Sequence, residues 1–177
     1  GIIIFSLAFI TMFTASLVAK DRCSSLTARL GVSPMKSINY ILGYILSVIP
    51  LILIQNILFF ITAIILGLKF SSNAIYTILA VIPISILFIS LGILIGTITT
   101  EKSSSGISSI IVQLVAFTSG MYFTTDMVGS TFSTICHILP FESTLNITKD
   151  ILNSNYNNIL PSILIVGIYI VIVIILT

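Results

Sequence analysis

Five long runs without a charged residue constrain this chain more than any other feature. They cover about residues 1–19, 38–67, 75–98, 106–123 and 159–177. An α-helix rises about 1.5 Å per residue, so about twenty apolar residues cross the hydrocarbon core of a bilayer. Only helices and closed barrels satisfy their backbone polar groups in lipid. We therefore predict an all-α, polytopic transmembrane helix bundle with five spans, all within one transmembrane domain, 1–177.

The composition agrees with lipid as the main solvent. Of the 177 residues, 57% are hydrophobic and only 7% are charged, whereas a soluble domain carries about 25% charged residues. The expected partner is the lipid bilayer, and the expected location is the cell membrane, specifically a bacterial plasma membrane. Nucleic acid is not expected as a partner, because no basic face with interleaved aromatic residues occurs.

A basic loop, residues 20–37, separates the first two runs. Four of the seven basic residues lie in it: Lys20, Arg22, Arg29 and Lys36. Short loops rich in lysine and arginine stay on the cytoplasmic side. With this loop inside, the alternation of spans places five basic residues inside and two outside. The segments at 68–74 and 124–158 are then on the outer side.

The same loop has the pattern of a short helix. Leu26 and Leu30 give it an apolar side, and Pro34 follows where the helix would stop. Such a helix at the inner face suits contact with a soluble partner. The alternative is that the loop charges only anchor the adjoining spans at the lipid headgroups.

Polar side chains within the spans have two open interpretations. Asn56 and its neighbour Gln55 lie in the second run, and Gln113 and Ser119 lie in the fourth. Amides in lipid normally hydrogen-bond to other helices, but these side chains would also suit the path of a substrate. Gly92 and Gly96 are four residues apart, a spacing that favours close helix packing.

Residues 124–158 are too polar to span a bilayer and too apolar for a plain loop. Ile138 and Leu139 precede Pro140, and Leu145 and Ile147 follow it. This spacing predicts short helices that dip into the outer membrane interface, a re-entrant segment.

The chain lacks the motifs of common catalytic sites. It contains no GxxxxGK[ST], HExxH or GxSxG, so we do not expect an enzyme. No metal is expected, because no cysteine–histidine cluster occurs. The spans are almost free of ionisable groups, whereas ion-coupled carriers usually keep one at membrane depth. The energy for any transport is therefore expected from a separate subunit.

Four segments together resemble the permease subunits of ABC-type multidrug exporters, the type-2 permease family. ARLGVSP (28–34) is similar to the family's RLLVTP, and NYILGYIL (39–46) to its ILGK or ILGY. SGMYFTTDMVGS (119–130) resembles its SGIFFP…MP stretch. LPFESTLNITKDIL (139–152) resembles NPLTYAVDALR, with Lys149 near the usual arginine. Each motif is loose, but their order covers the whole chain.

The resemblance implies a six-span permease, of which this chain carries five spans. It implies a second permease copy or paralogue, and a cytoplasmic ATPase that carries the ATP and magnesium, so that no cofactor binds this chain. Loop 20–37 becomes the coupling helix, and the outer segment caps the substrate path. The implied ATPase contacts are Asp21, Arg22, Leu26, Arg29 and Leu30, with Pro34 fixing the exit of the helix.

The sequence also departs from the family pattern. The upstream amphipathic helix and first span are absent, and Cys23, Ser24 and Ser25 replace the loop's usual glutamate and Gly-Thr pair. The expected function is outward movement of an amphipathic or lipid-like molecule, such as a drug, peptide or glycan-lipid. The alternatives are an ion-coupled carrier and a structural or immunity membrane subunit that transports nothing.

Overall fold

The computed structural model describes residues 2–24, 37–65, 72–119, 136, 138–152 and 159–177, and six helices lie within these ranges. They are α1 (Ile2–Cys23), α2 (Ser37–Ile65), α3 (Ser72–Ile98), α4 (Glu101–Thr118), α5 (Pro140–Leu152) and α6 (Ile159–Leu176). The described ranges contain no strand. The predicted all-α polytopic bundle is confirmed.

Four helices, α1, α2, α3 and α6, are long and apolar enough to cross a membrane. The described part of the fourth predicted span, α4, has 18 residues but is more polar than these four. Pro50 lies inside α2 and Pro83 inside α3, and both helices continue through them. Transmembrane helices tolerate proline where neighbouring groups satisfy the freed backbone carbonyl.

Two helix ends differ from the prediction. The final turn of α1 includes Lys20 and Arg22, which were expected in the loop. Their positive charges are favourable there, because the carboxyl end of a helix carries partial negative charge. Helix α4 begins at Glu101, five residues before the predicted span 106–123, so only residues 99 and 100 separate it from α3. The Oγ of Ser103 accepts a hydrogen bond from the Thr100 N–H at 3.2 Å, which caps this helix early.

Helix α3 is the centre of the bundle and contacts each of the other five described helices. Its buried side chains include Val81, Leu87, Phe88 and Ile93. Helices α2 and α6 lie at the periphery, and most of their exposed side chains are apolar. Such surfaces are suited to lipid, because lipid solvates apolar side chains as well as the protein interior does.

Gly92 and Gly96 set the close approach of α3 to α1. A β-carbon at Gly92 would lie 2.7 Å from the carbonyl oxygen of Thr11, and one at Gly96 would lie 2.7 Å from that of Ala15. The Thr11 hydroxyl also donates to the carbonyl of Phe88 at 3.0 Å. The predicted small-residue packing motif is thus confirmed, and it joins α1 to α3.

Helix α5 lies within the bundle, in contact with α3, α4 and α6. Nine of its 13 residues are buried. The structure places a short helix where residues 124–158 were predicted to re-enter the membrane. Of the residues predicted to form a helix before Pro140, only 136, 138 and 139 lie within the described ranges.

Candidate functional site

The carboxyl end of α1 and the amino end of α2 carry the described part of the predicted coupling loop. Lys20 and Arg22 are exposed, and Asp21 is half-buried. The Ser24 hydroxyl donates to the Asp21 carbonyl at 2.6 Å, where α1 ends. The other predicted ATPase contacts lie outside the described residues: Leu26, Arg29, Leu30 and Pro34.

The Asp21 carboxylate contacts the next helix. The Tyr44 hydroxyl donates to its Oδ2 at 2.7 Å, and the Tyr40 hydroxyl donates to that of Tyr44 at 3.3 Å. The two tyrosine rings meet edge to face, with centroids 4.8 Å apart. The sequence prediction missed both tyrosines. The available signal was their spacing of one helical turn, next to the basic loop.

The two amides of α2 have different surroundings. Asn56 is 1% exposed, and among the described residues neither its side-chain nitrogen nor its oxygen has a hydrogen-bond partner. The described part of the chain therefore does not form the interhelical hydrogen bond that was one of the two interpretations. Gln55 is half-buried and lines a groove of about 350 Å³ with Leu51, Ile54, Leu58, Phe59 and Thr62.

Helix α4 has one buried and one exposed side. Its buried residues include Ser104, Ser108 and Val112, and the helix packs chiefly on α1. Gln113 belongs to the exposed side, which is defined by Ser105, Ser109, Ile110, Gln113, Leu114 and Phe117. Ser119 is buried, and its hydroxyl donates to the Ala116 carbonyl at 3.4 Å. The structure therefore does not bring Gln113 and Ser119 to a common surface.

Exposed aromatic residues also occur on α1, the helix on which α4 chiefly packs. Phe9 and Phe13 are each about half exposed. The Ser109 hydroxyl is 3.9 Å from the Met12 sulfur, so the two helices meet at the edge of this region. Together, the exposed residues of α4 and of α1 make up a set of hydroxyl, amide and aromatic groups. We call it the α1–α4 face.

A buried carboxylate in α5 was not expected. Glu142 is 9% exposed, although it belongs to the segment 124–158, which was predicted to lie at the outer membrane interface. The ring of its neighbour Phe141 lies 6.0 Å from that of Phe88 on α3. Burial, and then the negative charge of Glu142, raises the pKa of the Cys136 thiol. No periodicity signal reveals this burial, because it depends on α5 entering the bundle.

The described residues offer no metal centre, since no three of their histidine, cysteine, aspartate and glutamate side chains are grouped closely enough. Cys23 is exposed and Cys136 is buried, and both are free thiols.

Comparison with known proteins gives one result at the level of the family. The sequence model described as "ABC-2 family transporter protein" matches residues 1–177. No curated protein and no solved structure matches the chain.

Proposed function

Because this chain belongs to the ABC-2 transporter family, we propose that it is the permease subunit of an ABC exporter. ATP and magnesium are bound by a separate cytoplasmic ATPase, which docks on the inner loop at residues 20–37. Two permease copies, or this chain and a paralogue, enclose a path between them. The substrate is an amphipathic or lipid-like molecule that moves outward.

The α1–α4 face is the observation that carries this proposal. Helix α4 exposes Ser105, Ser109 and Gln113, although its neighbours α1 and α3 are apolar enough to cross a membrane. Polar groups in lipid are stabilised when they face another helix or a water-filled cavity. A second permease copy or an aqueous path satisfies this requirement, whereas lipid chains do not.

The character of this face also suggests the class of substrate. Phe9, Phe13 and Phe117 supply apolar surface, and Ser109 and Gln113 supply hydrogen-bonding groups. Binding sites for small molecules typically combine mostly apolar surface with a few polar groups. A face of this kind suits a molecule with a hydrocarbon part and a polar part.

The test is reconstitution of the permease with its ATPase in vesicles that contain a nitrobenzoxadiazole-labelled phospholipid. With the ATPase facing outward, ATP should protect the probe from external dithionite, because the probe moves into the inner leaflet. Arg29→Glu combined with Leu30→Glu should abolish co-purification of the ATPase. The control is Lys102→Glu, in the first turn of α4. An unaffected complex in the double variant, or no ATP-dependent protection, contradicts the proposal.

Glu142 favours one second candidate, an ion-coupled carrier. An ionisable group buried in a membrane bundle is a common element of ion coupling, and Glu142 is 9% exposed within α5. This candidate requires transport of the probe in vesicles without any ATPase, driven by a proton gradient and abolished by Glu142→Gln. ATP-dependent transport that Glu142→Gln leaves intact excludes it.

A further inference from the structure

A polar cluster joins the inner ends of α1 and α2. It consists of Asp21 in the last turn of α1, and of Tyr40 and Tyr44 in the first two turns of α2. The hydroxyl of Tyr44 reaches Oδ2 of Asp21 at 2.7 Å, and Tyr40 supports it through a hydroxyl contact at 3.3 Å and an edge-to-face ring contact. We call this cluster the inner clamp.

The clamp contains a hydrogen bond from a tyrosine hydroxyl of one helix to a carboxylate of the other. Hydrogen bonds to an ionised carboxylate are about twice as strong as bonds between neutral groups, and 2.7 Å is in their usual range. Helix α1 packs mainly against α3 and α4, and it makes far fewer contacts with α2. The half-buried position of Asp21 and Tyr44 further limits competition by water.

The position of the clamp in the chain gives it a mechanical consequence. Asp21 and Tyr44 are 23 residues apart, near the two ends of the basic loop. Their contact closes the loop at its base. Because the hydrogen bond joins the two helix ends, a force on the loop moves them together. Without the bond, each helix end could move separately.

We propose that Asp21 and Tyr44 are positioning residues that make the inner ends of α1 and α2 move as one unit when the ATPase displaces the loop. This inference rests on the proposed function. It also assigns Asp21 a different role from the predicted ATPase contact, since the carboxylate is directed at Tyr44. Lys20 and Arg22, which are exposed on the same turn, are left to face the partner.

The test measures one distance within the permease in complex with its ATPase. Spin labels are placed on the native Cys23, at the end of α1, and on Thr62→Cys, which is exposed near the other end of α2. Cys136 is replaced by serine. Dilution with unlabelled permease leaves one labelled copy per complex. The distance is measured without nucleotide and after trapping with ADP and vanadate.

With the clamp unmodified, the distance between the two spin labels should have the same narrow distribution without nucleotide and after trapping. Tyr44→Phe, which keeps the ring, and Asp21→Ala should each broaden the distance and shift it after trapping. Asp21→Asn should keep the distance, because its carbonyl oxygen still accepts the hydrogen bond. Tyr169→Phe is the matched control, since it removes one tyrosine hydrogen bond, to the Ile138 carbonyl at 2.9 Å, from another part of the bundle.

Function is read as labelled phospholipid moved per ATP hydrolysed. We expect about a tenfold fall for Tyr44→Phe, as a net hydrogen bond to a charged group is sufficient for such a change. The variant with both Asp21→Ala and Tyr44→Phe should be no worse than either single variant, because both remove the same contact. ATPase binding and thermal stability should stay near those of the parent.

Two results would overturn the clamp. One is a distance that shifts between states with the clamp intact. The other is a Tyr44→Phe variant with an unchanged distance and an unchanged transport ratio. A parent protein that binds no ATPase is a separate outcome, and it contradicts the proposed function instead.

Discussion

Substitution of Gly92 by alanine tests the packing of α1 on α3. The added β-carbon would lie 2.7 Å from the Thr11 carbonyl oxygen and 2.8 Å from the β-carbon of Thr14. Ordinary contacts begin near 3.3 Å for carbon with oxygen and near 3.5 Å for two carbons. The helices must therefore separate by roughly 0.6 Å or more, since both neighbours are fixed to the backbone.

The energetic cost follows from this displacement. Forcing extra atoms into a packed core costs about 1–3 kcal/mol. Separation of the helices also lengthens the hydrogen bond from Thr11 to the Phe88 carbonyl, which is now 3.0 Å. Alanine also has a higher helix propensity than glycine, by up to about 1 kcal/mol. The loss of stability measured for Gly92→Ala alone is therefore smaller than the cost of the disturbed packing.

Gly167→Ala is the matched control, because nothing lies within 4 Å of its added β-carbon. The same change in propensity occurs in both variants. The difference between their free energies of unfolding, measured by SDS titration in mixed micelles, should therefore be about 1–3 kcal/mol. Gly92→Ala combined with Gly96→Ala should cost less than the sum, since one separation relieves both clashes. Equal stability of Gly92→Ala and Gly167→Ala would refute the role of Gly92 in the close packing of α1 on α3.

Two further predictions concern buried groups. Asn56→Leu should raise the free energy of unfolding by about 1–3 kcal/mol in the same assay, because the amide is buried without a hydrogen-bond partner among the described residues. Gln55→Leu is the control and should change the free energy of unfolding little. A loss of transport in Asn56→Leu would instead favour a role of Asn56 in the substrate path. A membrane-impermeant maleimide should modify the exposed Cys23 only in inside-out vesicles, and Cys136 only after unfolding. The raised pKa of Cys136 lowers its thiolate fraction, which further slows its modification in the folded protein. Rapid labelling of Cys136 in the folded protein contradicts its burial.

The sequence predicted the elements of the fold well, for a reason specific to lipid. A span must be apolar, uncharged and about twenty residues long, and these are properties of consecutive residues. The helices over 1–19, 38–67, 75–98 and 159–177 therefore agree with α1, α2, α3 and α6 to within a few residues. The spacing of Gly92 and Gly96 also predicted close packing correctly, although it did not identify α1 as the partner.

The candidate site was less predictable, because it depends on which side of a helix meets a neighbour. Gln113 and Asn56 are both amides in apolar runs, yet one is exposed on α4 and the other is buried in α2. The contact of Asp21 with Tyr44 spans the whole basic loop, and the burial of Glu142 follows from α5 entering the bundle. The length of an apolar run locates a membrane helix along the sequence. Which residues contact one another across the bundle is determined only when the helices pack.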